Sequence, residues 1–147
     1  MAAGDWRAIM GAAQKARESY AATGRPTYVP FLAEGQLDAW RENGKKYYLT
    51  GRNQDPNWQN QTLLSAYDKM IQFSALDTIK LLTPTPLLVI TGDQSETLSQ
   101  SEAVYATAEQ PKELLLVRGG THFDFYDRPE YLTTTLSKID AFFKQYL

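Results

Sequence analysis

One histidine, His122, and two acids, Glu96 and Asp93, have the types and spacing in this 147-residue chain to do acid–base chemistry. The acids follow the apolar run "TPTPLLVITGD" within "GDQSET", and the histidine follows "KELLLV" within "RGGTHFD". A carboxylate beside an imidazole accepts a hydrogen bond from one ring nitrogen, fixes the tautomer and stabilises the imidazolium. The other nitrogen is then a general base. The glycines before His122 suit a tight turn. The same residues also have ordinary uses. A lone histidine often sits on the surface or hydrogen-bonded in a core, and aspartates after a glycine form turns and cap helices.

The elements that must position these groups are legible toward the C-terminus. "PLLVI", bounded by Pro84 and Pro86, has strand length and ends at Gly92; its continuous apolar character predicts a strand covered on both faces, as in parallel sheets. Ser99 and Glu102 have the spacing of a capping box and predict a short helix through about Ala108. Pro111 ends that element and "KELLLV" reads as a second buried strand. Asp127, Pro129 and Glu130 open a helix with an apolar stripe of Leu132, Leu136, Ile139, Phe143 and Leu147. Strand, helix, strand, helix is a βαβ crossover with parallel strands. Parallel neighbours lie about 4.8 Å apart, and reactive groups collect beyond their carboxyl ends. An acid of the first loop can therefore reach His122.

Residues 1–82 read as a mainly helical region. A helix capped by Asp5 carries Ile9, Met10, Ala13, Ala16 and Tyr20 on one face, and Gly24 and Pro26 stop it. "RPTYVPFLAEG" reads as an extended connector, a second helix spans about Leu37 to Leu49, and Leu63, Leu64, Tyr67, Ile71 and Ser74 mark a third. The expectation is a single partial domain, with residues 1–82 cap-like and 83–147 a βαβα part.

Composition narrows the chemistry. With 43% hydrophobic and 22% charged residues and a formal charge of −2, the chain matches a globular domain with no electrostatic reason to bind nucleic acid or an anionic membrane. No cysteine is present, which excludes disulfides and thiolate metal sites, and one histidine argues against a histidine-rich metal centre. No cofactor is expected. "MAAGDWRAIM" lacks the pattern of a secretory signal and no apolar run approaches membrane-spanning length, so the expected location is cytoplasmic.

Taken together, "PTPLLVITGDQSET", "SEAVYATAEQPKELLLV" and "GGTHFDFYD" resemble the end of an α/β-hydrolase, most closely the dienelactone-hydrolase-like branch of serine hydrolases. The resemblance covers residues 83–147, and "KKYYLTGRNQDPNWQNQ" extends it more weakly toward the N-terminus. It implies an α/β fold with a small parallel sheet and a parent activity of ester or acyl hydrolysis. It places the catalytic histidine at His122 and the acid at Glu96, with Asp93 as the competing assignment. Gly120 stands where the branch usually has alanine.

The nucleophile of that family sits in a G-x-S-x-G elbow, and no serine of this chain is framed by glycines in that way. Ser65 lies in a helical pattern, and Ser95, Ser99 and Ser101 belong to the acid loop and its cap. The oxyanion-hole segment is missing as well. The resemblance is thus to the C-terminal half of a hydrolase, and the expectation is little or no esterase activity from the chain alone. Two apolar strands with open edges predict association, as a homodimer or with a separate chain carrying the N-terminal half. Trp40, Tyr47, Tyr48 and Trp58 either supply that interface or pack the domain's own core. The alternative function is a non-catalytic oligomeric or binding module derived from a hydrolase.

Overall fold

The computed structural model describes residues 6–33, 38–53 and 55–147. It divides into two compact units, Met1–Phe73 and Ser74–Leu147.

In the first unit, helix α1 (Trp6–Thr23) buries Ala13 and Ala16, small side chains that allow close packing against the turn and helix at residues 64–72. The expected Asp5 cap lies outside the described residues. Arg17 ties this packing, donating to both carboxylate oxygens of Asp68 at 2.6 and 2.7 Å and to the Ser65 carbonyl at 2.7 Å. Gly24 takes φ +69° after the last turn, as a helix-ending glycine does. The proline-rich connector forms a two-residue strand, β1 (Tyr28–Val29), antiparallel to β2 (Thr62–Leu63). That pairing draws Leu63 out of the single helix expected there. A 3₁₀ turn at Leu64–Ala66 and a short helix α3 (Tyr67–Gln72) follow instead. Between them lies α2 (Ala39–Tyr48), capped by Asp38, whose carboxylate accepts from Arg41 N at 2.9 Å; Leu37, the expected start, is outside the described residues. Tyr48 stacks on Trp58 (4.8 Å, 15°) and meets Phe31 edge-on, as Trp40 also does.

The second unit opens with a helical turn α4 (Ala75–Thr78) and a 3₁₀ turn at Ile79–Leu82. Strand β3 (Leu87–Gly92) then pairs in parallel with β4 (Lys112–Val117), in register from Leu87↔Lys112 to Gly92↔Val117. Helix α5 (Leu98–Thr107) makes the crossover, followed after β4 by α6 (Asp124–Asp127) and α7 (Pro129–Tyr146). The βαβ expectation therefore holds, and the class is α/β.

Three details differ from the sequence reading. Helix α5 begins at Leu98 with Thr97 as its N-cap residue, so Ser99 and Glu102 lie inside it rather than forming a capping box. Asp127 closes α6, and the residue before Pro129 is Arg128. On α7 the buried positions are Thr135 and Phe142, while Leu136 and Phe143 are more than half exposed. An ion pair between Lys138 and Glu113 of β4 turns the face bearing Lys138 toward the sheet. Phe142 stays inside against Tyr146. Covering of the strands is also incomplete. Leu87 to Ile90 are half-buried and Leu116 is 51% exposed, because α5 and α7 pack on a sheet of only two strands.

Candidate active site

The two loops leaving the carboxyl ends of β3 and β4 are joined through their backbones. Gln94 N–H donates to the Gly120 carbonyl at 3.1 Å, and Asp93 N–H to the Val117 carbonyl at 3.1 Å. The approach is so close that a Cβ on Gly92 would lie 1.9 Å from the Gly120 oxygen. Gly119 adopts φ +78°, the left-handed region that favours glycine. Its N–H donates to Asp93 Oδ1 at 2.7 Å and its carbonyl accepts from Tyr131 Oη at 3.1 Å. Gly120, where the resemblance would place alanine, has a Phe125 ring carbon 2.9 Å from where a Cβ would stand.

His122 sits on the turn into α6. That turn is held by Asp124, whose Oδ2 accepts from Thr121 N (3.0 Å) and Thr121 Oγ1 (2.6 Å), while Arg128 pairs with Oδ1 at 3.2 Å. Phe123, 1% exposed, anchors the same turn in the core and meets the imidazole edge-on at 4.8 Å. His122 Nδ1 lies 3.1 Å from Thr97 Oγ1, and Nε2 lies 3.0 Å from Tyr126 Oη. Thr97 Oγ1 is in turn 3.0 Å from Ser95 Oγ. Around these groups is a cavity of about 230 Å³, open to solvent and lined also by Ile90, Ser101, Phe125 and Thr135.

Burial pushes the His122 pKa below the usual imidazole value, and the negative charge of Glu96 opposes that shift. Glu96 buries its Oε2 in the same loop. The structure thus brings Glu96 and His122 into one electrostatic neighbourhood. Asp93 is committed differently, as the acceptor that pins the Gly119 backbone. Sequence reasoning missed Thr97, Ser95 and Tyr126. The available signals were that Tyr126 follows His122 by four residues, one helical turn, and that Thr97 is adjacent to Glu96.

Among the described residues no group of histidine and acidic side chains could hold a metal ion, and no helix is long and apolar enough to cross a membrane.

This architecture has counterparts. No protein-family model matches the chain. The uncharacterized protein PA2218 of Pseudomonas aeruginosa is 33% identical over 132 residues, covering 86% of this chain and 35% of that protein. Its crystal structure superposes on 96% of this chain and 45% of its own, with a TM-score of 0.79 and 29% identity. The uncharacterized protein YcjY of Escherichia coli K12 is 26% identical over 140 residues, 92% of this chain and 46% of that protein. The α/β hydrolase GrgF from a Penicillium species overlays 95% of this chain on 49% of its own, with a TM-score of 0.76 and 19% identity. The chain therefore has a partial α/β-hydrolase fold, and it spans less than half the length of the curated relatives it matches.

Proposed function

We propose that these 147 residues are the histidine- and acid-bearing part of a serine-hydrolase-type α/β fold, of the dienelactone-hydrolase-like branch, whose parent activity is ester or acyl hydrolysis. His122 is the general base, Glu96 the carboxylate that stabilises its protonated form, and Asp93 a tether between the two loops. Supporting this reading is one arrangement above the rest: His122 and Glu96 emerge from the adjacent carboxyl ends of parallel β3 and β4, and the charge of Glu96 acts on the imidazole. The chain has no G-x-S-x-G nucleophile, so on its own it forms no acyl intermediate. The hydroxyl nucleophile and oxyanion donors come from outside these residues, in a hydrolase N-terminal half.

The test is complementation. The chain alone is expected to leave p-nitrophenyl acetate untouched. Mixed with the part of PA2218 that this chain does not match, it is expected to restore hydrolysis, with His122→Ala costing on the order of a thousandfold or more. Restored hydrolysis that survives His122→Ala unchanged refutes the assignment.

A second reading is a non-catalytic module, assembled as a homodimer or on another partner. It is favoured by Tyr126, whose hydroxyl already engages Nε2, the nitrogen a nucleophile would need. Light scattering separates the two: a dimer that resists complementation supports the module.

A further inference from the structure

We propose that Tyr126 and Thr97 are positioning residues that hold His122 as the Nδ1–H tautomer, with Nε2 presented as the acceptor for a hydroxyl proton. The proposal rests on reading His122 as a base and goes beyond it by assigning what sets that base. The geometry is a continuous chain: Tyr126 Oη to Nε2 at 3.0 Å, Nδ1 to Thr97 Oγ1 at 3.1 Å, and Thr97 Oγ1 to Ser95 Oγ at 3.0 Å. Such a chain can run in either of two directions, because each hydroxyl has a single proton and lone pairs to spare.

The chemistry of the two hydroxyls chooses the direction. Tyr126 is a phenol and Thr97 an aliphatic alcohol. With a phenolic pKa near about 10, the tyrosine is the stronger donor and the threonine the stronger acceptor. The proton therefore runs from Tyr126 onto Nε2, and the ring donates through Nδ1 to Thr97. With that direction set, Thr97 Oγ1 passes its own proton to Ser95 Oγ, which also accepts Thr97 N–H at 3.3 Å. This use of its hydroxyl explains why Thr97, although the N-cap residue of α5, makes no side-chain cap.

The Tyr126 phenol is then a resident stand-in for the hydroxyl that Nε2 is built to receive. An incoming alcohol, whether of a nucleophile or a substrate, takes its place. The rings of Phe123 and Tyr126 lie edge-on to His122 at 4.8 and 5.6 Å, so removing the phenol oxygen leaves the ring packing in place.

His122 is the only histidine, so its two ring nitrogens are identifiable without assignment in nitrogen-detected NMR of the full chain. Above the titration range, the wild-type ring is expected to show Nδ1 protonated and Nε2 bare. Tyr126→Phe and Thr97→Val are each expected to lower the Nδ1–H to Nε2–H ratio by roughly fivefold, the effect of one net hydrogen bond. A wild-type ring protonated at Nε2 overturns the proposal, and that measurement needs no variant to fold. An unmoved ratio in Tyr126→Phe with an otherwise native spectrum overturns it too. The tautomer is read without any hydrolysis, so failed complementation beside a correct tautomer refutes the base role and not the wiring.

Discussion

The crossing of Gly92 and Gly120 makes Gly92→Ala the sharpest test of how the loops are held. The added Cβ would stand 1.9 Å from the Gly120 oxygen, 2.5 Å from its carbonyl carbon and 2.9 Å from its Cα. These are backbone atoms, which cannot rotate away as a side chain would, so the two loops must part. Overpacking of this kind costs about 1–3 kcal/mol. Parting also stretches the bond from Gln94 N to the Gly120 oxygen, 3.1 Å in the native structure, which adds about 1 kcal/mol. A total of about 2–4 kcal/mol is a large share of the roughly 5–15 kcal/mol that holds a domain folded. Urea unfolding followed by circular dichroism reads it as a lower midpoint. The three tryptophans all precede Phe73, so their fluorescence reports the first unit. The His122 titration should shift as well, because Glu96 rides on the displaced loop. A Gly92→Ala protein within about 0.5 kcal/mol of wild type, the range of an ordinary surface change, would refute the claim that this contact sets the spacing of the site.

Three further outcomes follow from the electrostatics and from the end of α5. The folded pKa of His122 lies below its unfolded value of about 6.5, so the unfolded chain takes up the proton first. The stability this ring contributes is complete above that pH and is lost as pH falls through it toward the folded pKa. Melting temperature should fall in that window for wild type and fall less for His122→Gln. Glu96→Gln, by removing the charge that opposes the shift, should move the His122 NMR midpoint further down; an upward move would contradict the pairing. Lys112 Nζ donates to the carbonyls of Tyr105 (2.6 Å), Ala106 (3.3 Å) and Ala108 (2.7 Å), which the last turn of α5 leaves open. Lys112→Met keeps the stem and removes the donors, and should cost about 1–2 kcal/mol in urea unfolding; no loss would mean that water serves those carbonyls equally well.

Much of the second unit was legible because its signals are local and agree with one another. Proline-bounded apolar runs gave both strands and their ends, and their alternation with helical stretches gave the parallel crossover. The errors arose where a contact distant in sequence overrode a local pattern. The helix expected from Leu63 loses that residue to β2, because Tyr28 supplies a strand partner that no window around Leu63 contains. The spacing of Ser99 and Glu102 is a genuine capping pattern, yet α5 starts at Leu98, from a turn whose Gln94 N–H is held by Gly120 on the other loop. On α7 the apolar stripe was read correctly as apolar, but the pairing of Lys138 with Glu113 helps decide which flank faces the sheet. At the site, His122, Glu96 and Asp93 stood out as titratable types beside strand ends. Thr97 and Tyr126 did not, since a hydroxyl announces no chemistry until its neighbour is known.

Phe123 carries a consequence for how this stretch evolves. The most deeply packed large side chain among the described residues is the one next to His122, so the imidazole inherits its place from the hydrophobic interior. Selection for folding alone would keep that corner of the backbone intact after a reaction had been abandoned. A descendant selected for folding alone would still carry the imidazole in the same well-packed place.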